Sequence, residues 1–105
     1  MKLVSAPYTY GYKDKKLNKV KGKIKINKKH KGTHLIVYPF LTDDGLMEIY
    51  SYEHLLSSCY SSFWNDIVVL GIASNKDGAM ELVVNMIQDI YDSDMDFDIK
   101  GFFGM

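Results

Sequence analysis

The sequence predicts an α+β fold: a two-layer sandwich with two helices packed on one face of a mixed, mainly antiparallel sheet of about five to six strands. Three observations carry this expectation. Apolar and polar residues alternate over Tyr8–Tyr12 and Val20–Ile26, the period of a half-buried strand. After Ser51 the apolar spacing changes to that of a helix. A wholly apolar run, Ile67–Ala73, then separates two helical stretches. The implied order is an N-terminal β-meander followed by helix, strand, helix and strand. The chain has 105 residues, 47% apolar and 25% charged, which suits a single compact domain over 1–105.

Each element has its own signal. Tyr8, Tyr10 and Tyr12 alternate with Thr9 and Gly11, as in a strand. Val20, Gly22, Ile24 and Ile26 alternate with Lys21, Lys23 and Lys25, which predicts a second strand with a lysine face. Leu35–Leu41 reads as a third, with Pro39 placing it at an edge or a bulge. Asp43-Asp44-Gly45 marks a tight turn, and Leu46–Tyr50 returns as a fourth strand. Tyr52, Leu55, Leu56, Cys59, Tyr60, Phe63 and Trp64 form one face of a helix. Ile67–Ala73 reads as a central strand covered on both sides. Ser74 and Asp77 match a capping box for a helix that buries Ala79, Leu82, Val83, Met86, Ile87, Ile90 and Tyr91. Met95, Phe97 and Ile99 alternate with Asp94, Asp96 and Asp98 as a last strand, closing a βαβ unit.

The formal net charge is zero, but the charges are segregated. Residues 1–42 hold eleven lysines and one acid, Asp14, for a net +10. Residues 43–105 hold two lysines and twelve acids, for a net −10. There is no arginine, the residue best suited to bidentate reading of bases. A composition rich in Lys, Ile, Asn and Tyr is also that of an AT-rich genome, as in a low-GC bacterium or its phages.

Two explanations of the segregation compete. If the lysine and aspartate strands were neighbours, Lys21, Lys23 and Lys25 would face Asp94, Asp96 and Asp98 across the sheet, at about 0.2–1 kcal/mol per pair. That pairing leaves Lys13, Lys15, Lys16, Lys28, Lys29 and Lys31 unexplained, because they fall in predicted turns. These six, with Tyr8, Tyr10 and Tyr12, are the candidate nucleic-acid surface: lysines on phosphates, rings under bases. Asp89, Asp92, Asp94, Asp96 and Asp98 are the candidate acidic patch for a basic partner. Three of them cluster at a helix C-terminus, where the backbone dipole favours cations instead.

Other chemistry is less well supported. Ser74-Asn75-Lys76 opens a helix and is a weak candidate anion site, without the spacing of a phosphate loop. Asp92–Asp98 lacks the glycine and glutamate of a calcium loop. His30, His34, His54 and Cys59 match no zinc spacing, and Cys59 falls on the apolar stripe of its helix as a small hydrophobe. No cofactor and no catalytic constellation is expected. The apolar end Phe102-Phe103-Gly104-Met105 and the need to cover Ile67–Ala73 suggest a second copy, so a homodimer or another protein is the expected partner. One cysteine, no apolar run of membrane length and no leader-like start suggest a cytoplasmic protein with no membrane partner. The functional expectation is a small non-enzymatic interaction protein with a polarised charge surface. The alternatives are a lysine-dominated nucleic-acid binder of low specificity, and a phage or mobile-element inhibitor that occupies a basic site with its acidic surface.

Overall fold

The computed structural model describes residues 1–41, 45–93 and 98–105. Among them run β1 (Lys2–Tyr10), α1 (Asp14–Lys25), β2 (His34–Val37), β3 (Glu48–Ser51), α2 (Tyr52–Leu55), a 3₁₀ segment (Ser58–Phe63), β4 (Val68–Ala73), α3 (Lys76–Asp92) and α4 (Ile99–Phe103). The strands form one mixed sheet in the order β1-β4-β2-β3. β4 is parallel to β1 and antiparallel to β2, and β2 is antiparallel to β3. The α+β expectation stands, with four strands among the described residues rather than five to six.

Helices cover both faces of the sheet, not one. Leu35 and Val37 of β2 pack with Val20 and Ile24 of α1 and with Tyr52 and Leu55 of α2. Ile36 points the other way, toward Ala79, Leu82, Met86 and Ile90 of α3 and Ile99 of α4. The alternation of a strand therefore separates two apolar clusters, and the architecture has three layers. β4 is interior and buried from Val69 onward, as its apolar run predicts. Its cover on both sides comes from the chain's own helices.

The largest correction concerns the lysine strand, which is helix α1. Val20 and Ile24 are four apart, so a period of two and a period of 3.6 both place them together. Leu17 decides between them. It lies an odd number of positions from both, yet it packs against the same cluster. Ile26, apolar in the strand reading, is 69% exposed. Lysine is also a good helix former. α1 ends in a left-handed Asn27 (φ 58°), with the Lys28 amide on the Lys23 carbonyl and the Asn27 amide on that of Ile24. This is the Schellman closure. The Asn27 side chain also accepts a hydrogen bond from the Met1 amino group at 2.8 Å.

Three further expectations change. β2 lies inside the sheet, and its ladder ends at Val37, two residues before Pro39. The helix expected over Tyr52–Trp64 breaks after Leu55. There the Ser57 hydroxyl donates to the His54 carbonyl at 2.6 Å, and Ser61 to that of Ser58 at 2.9 Å, so serines compete with the helical ladder. Of the last expected strand, residues 94–97 lie outside the described residues, as do Asp43 and Asp44 of the predicted turn. Asp98 caps α4 by accepting from the Gly101 amide at 3.1 Å, and Ile99 is helical.

β1 is an edge strand with a break in register. Leu3 faces Val69 and Tyr8 faces Gly71, so β1 spends three more residues than β4 over that stretch. Pro7, which has no amide to donate, falls within this bulge. Among the described residues no helix is long and apolar enough to cross a membrane.

Candidate functional site

Helix α1 presents its lysines on two flanks of the buried Leu17-Val20-Ile24 stripe. Lys16, Lys19 and Lys23 recur at i, i+3 and i+7 on one flank. The loop that follows α1 returns His30 to this flank, where the Lys23 ammonium donates to His30 Nδ1 at 3.2 Å. An ammonium has no lone pair, so Nδ1 is the acceptor and the ring is neutral. Burial first, and then the charges of Lys23, Lys16 and Lys19, hold the His30 pKa below its usual 6.5. Lys15, Lys16, Lys19 and His30 line a shallow hollow of about 400 Å³.

The floor beside this hollow is hydrogen-bonded. The Tyr12 hydroxyl shares a 2.7 Å hydrogen bond with Thr33 Oγ1, and Thr33 is buried. The Tyr12 ring meets His30 edge-on at 6.1 Å, and Lys16 Nζ lies 5.9 Å from its centroid. Such a cation–π contact contributes about 0.5–1 kcal/mol at an exposed site. From the far side, Tyr52 is fully buried and its hydroxyl donates to the carbonyls of Lys28, at 2.8 Å, and Lys23, at 3.2 Å. Burial pushes the Tyr52 pKa up to about 12. One side chain thus ties the end of α1 to α2.

The structure sorts the predicted nucleic-acid residues. Lys13 stands just ahead of α1, Lys15 and Lys16 lie in its first turn, and Lys28, Lys29 and Lys31 lie in the following loop, all exposed. Lys19, Lys23 and His30 belong to the same surface and were hidden by the strand reading. The signal for the two lysines is the i, i+3, i+7 spacing with Lys16; His30 has none, because the loop brings it there. The three tyrosines do not form one platform. Gly11, at φ 80°, turns the chain between Tyr10 and Tyr12. Tyr12 joins the α1 side, while the Tyr8 hydroxyl donates to Asp89 of α3. Burial, and then Asp89, push the Tyr8 pKa to about 12. The Tyr10 ring lies over Gly78, where a Cβ would come within 2.2 Å of it.

The predicted lysine ladder is not a strand. Lys21, Lys23 and Lys25 are on a helix, and Asp94 and Asp96 lie outside the described residues. Among the described residues no ion pair joins a lysine to a carboxylate. The partners of the acidic residues are neutral: Tyr8 for Asp89, the Gln88 amide at 3.0 Å for Asp92, and the α4 backbone for Asp98. At Ser74-Asn75-Lys76 the cap is Asn75, not Ser74. Its side chain accepts from the Gly78 amide at 2.7 Å, which uses one of the N–H groups an anion would need. Ser74 instead packs against Gly11.

Cys59 is exposed rather than buried, and its Sγ contacts Ser57 Oγ at 3.2 Å. His54 Nε2 meets the Tyr60 hydroxyl at 3.3 Å. Among the described residues no group of three or more His, Cys, Asp or Glu could hold a metal ion. In comparisons with protein-family models, curated proteins and solved structures, the chain matches none.

Proposed function

We propose that this chain is a non-enzymatic binding protein, and that the α1 face holds a polyanion by its phosphates, as in a nucleic-acid backbone. The observation that carries this reading is the lysine flank itself. Lys15, Lys16 and Lys19 converge on one hollow beside His30, with no carboxylate paired to them among the described residues. Clustered, solvated ammonium groups attract phosphate and release its counterions. Without arginine, and with Tyr8 and Tyr12 tied by hydrogen bonds, the surface supports charge neutralisation rather than base readout.

The test is fluorescence anisotropy with labelled single- and double-stranded oligonucleotides across a salt series. Three phosphate contacts give a slope of about −2.7 in log K against log salt on duplex DNA, or about a fortyfold loss between ~50 and ~200 mM. Replacing Lys15, Lys16 and Lys19 together with Ala should bring that slope close to zero. Absence of binding at the lowest salt, or a slope unchanged in the triple variant, refutes the reading.

A further inference from the structure

Helix α3 carries two apolar stripes, and the core uses only one. Ala79, Leu82, Met86 and Ile90 are buried against the sheet. On the outer side Met80, Val84, Ile87 and Tyr91 recur at i, i+4, i+7 and i+11 and are 53%, 66%, 36% and 67% exposed. That spacing is the seam a second helix would pack into. It runs for about 16 Å, three turns, along the helix axis.

The border of the stripe selects what can lie on it. Asp77, Glu81 and Asp92 line one flank at helical spacing, all exposed. Lys76, at the N-terminal end, is the one cation among the helix's seventeen residues, and no basic residue lies in its last turn. A second copy fits poorly. An antiparallel α3 pair would match Met80 with Tyr91 and Val84 with Ile87, but it brings the Asp77 end of that flank beside the Asp92 end of its mate, acid against acid. Nor can α1 of another copy serve, because Val20 and Ile24 are already buried in its own core.

We propose that the outer face of α3 docks a basic amphipathic helix of another protein, its apolar side on Met80, Val84 and Ile87 and its lysines or arginines on Asp77, Glu81 and Asp92. This inference is independent of the α1 reading, since it concerns the opposite side of the sheet and the opposite charge.

The experiment is anisotropy with two labelled peptides of the same apolar pattern, about 14 residues long to cover the stripe. One is built of Leu and Lys, the other of Leu and Glu. The Leu/Lys peptide should bind and the Leu/Glu peptide should not. Val84→Ser with Ile87→Ser should weaken the Leu/Lys complex by about tenfold or more, as expected for central apolar anchors. Asp77→Lys with Glu81→Lys should reverse the preference. All four positions are on the helix surface, and circular dichroism with a melting curve checks that the variants fold. Equal binding of the two peptides, or binding untouched by the serine pair, overturns the proposal. So does sedimentation showing a dimer that the serine pair dissolves, because the occupant would then be a second copy.

Discussion

Replacing Gly71 with Ala tests how α3 is seated on the sheet. Gly71 lies in the buried part of β4, under α3. A Cβ there would meet Met86 Cε at 2.6 Å, Ile36 Cδ1 at 2.9 Å and the Tyr8 carbonyl oxygen at 3.3 Å. The first two atoms are side-chain ends, but Met86 and Ile36 are both fully buried and have little room to yield. The third is backbone of the paired strand. Overpacking of this kind costs about 1–3 kcal/mol. The smaller entropy of the unfolded alanine chain offsets roughly 0.4–1 kcal/mol. A net loss of about 1–2 kcal/mol follows, and each kcal/mol lowers the melting temperature by roughly 4–8 °C in a domain of this size. Urea titration reads it as a lower midpoint at unchanged slope. Met86→Ala alone should cost about 2–5 kcal/mol. In the double variant the two losses should fall short of their sum by about 1 kcal/mol, because the missing Met86 Cε leaves space for the new methyl. An unchanged midpoint for Gly71→Ala, or strict additivity with Met86→Ala, would refute the close approach of α3 to β4 at this point.

Two other predictions concern α1 and its anchor. Gly22 is exposed within the helix, and a Cβ there meets nothing within 4 Å. Gly22→Ala should therefore raise stability by about 0.5–1 kcal/mol, read by the same urea titration. Tyr52 keeps its proton up to about pH 12 in the fold but loses it near pH 10 when unfolded. Its contribution is thus fully present below pH 10 and is lost as pH rises toward 12. Melting temperature should fall across that window, to which Tyr8 also contributes, and Tyr52→Phe should make the fall shallower while lowering stability at neutral pH by about 1 kcal/mol through the lost hydroxyl bonds.

What could be read from the sequence depended on whether a segment's two periods agree. β4 was legible because an apolar run of that length, flanked by Asp66 and Ser74, has no wet face to assign. α3 was legible because Ala79, Leu82, Met86 and Ile90 fit only a helical period. α1 was not, since Val20 and Ile24 satisfy both periods and the lysines between them suit either. That one ambiguity propagated. Read as a strand, α1 adds a strand to the sheet and leaves without cover the face that it packs on as a helix. The candidate surface suffered in the same way. Its turn lysines were visible as a run of charge, but Lys19, Lys23 and His30 join them only once the helix and its returning loop are known. The outer stripe of α3 is half-visible in the sequence: Ile87 and Tyr91 border the buried face at helical spacing, so the period alone does not separate them from it.

The pairing of β1 with β4 joins Lys2 to Val68, 66 positions apart in the chain. β1 can therefore find its place only after β4 has been made. At roughly 5–20 residues per second, synthesis alone separates the two by about 3–13 s. When synthesis reaches residue 42 the segment with net charge +10 is complete, and the start of β4 still lies 26 positions ahead. The order of assembly thus leaves the lysines of this segment exposed before β4 is there to hold β1 in the sheet.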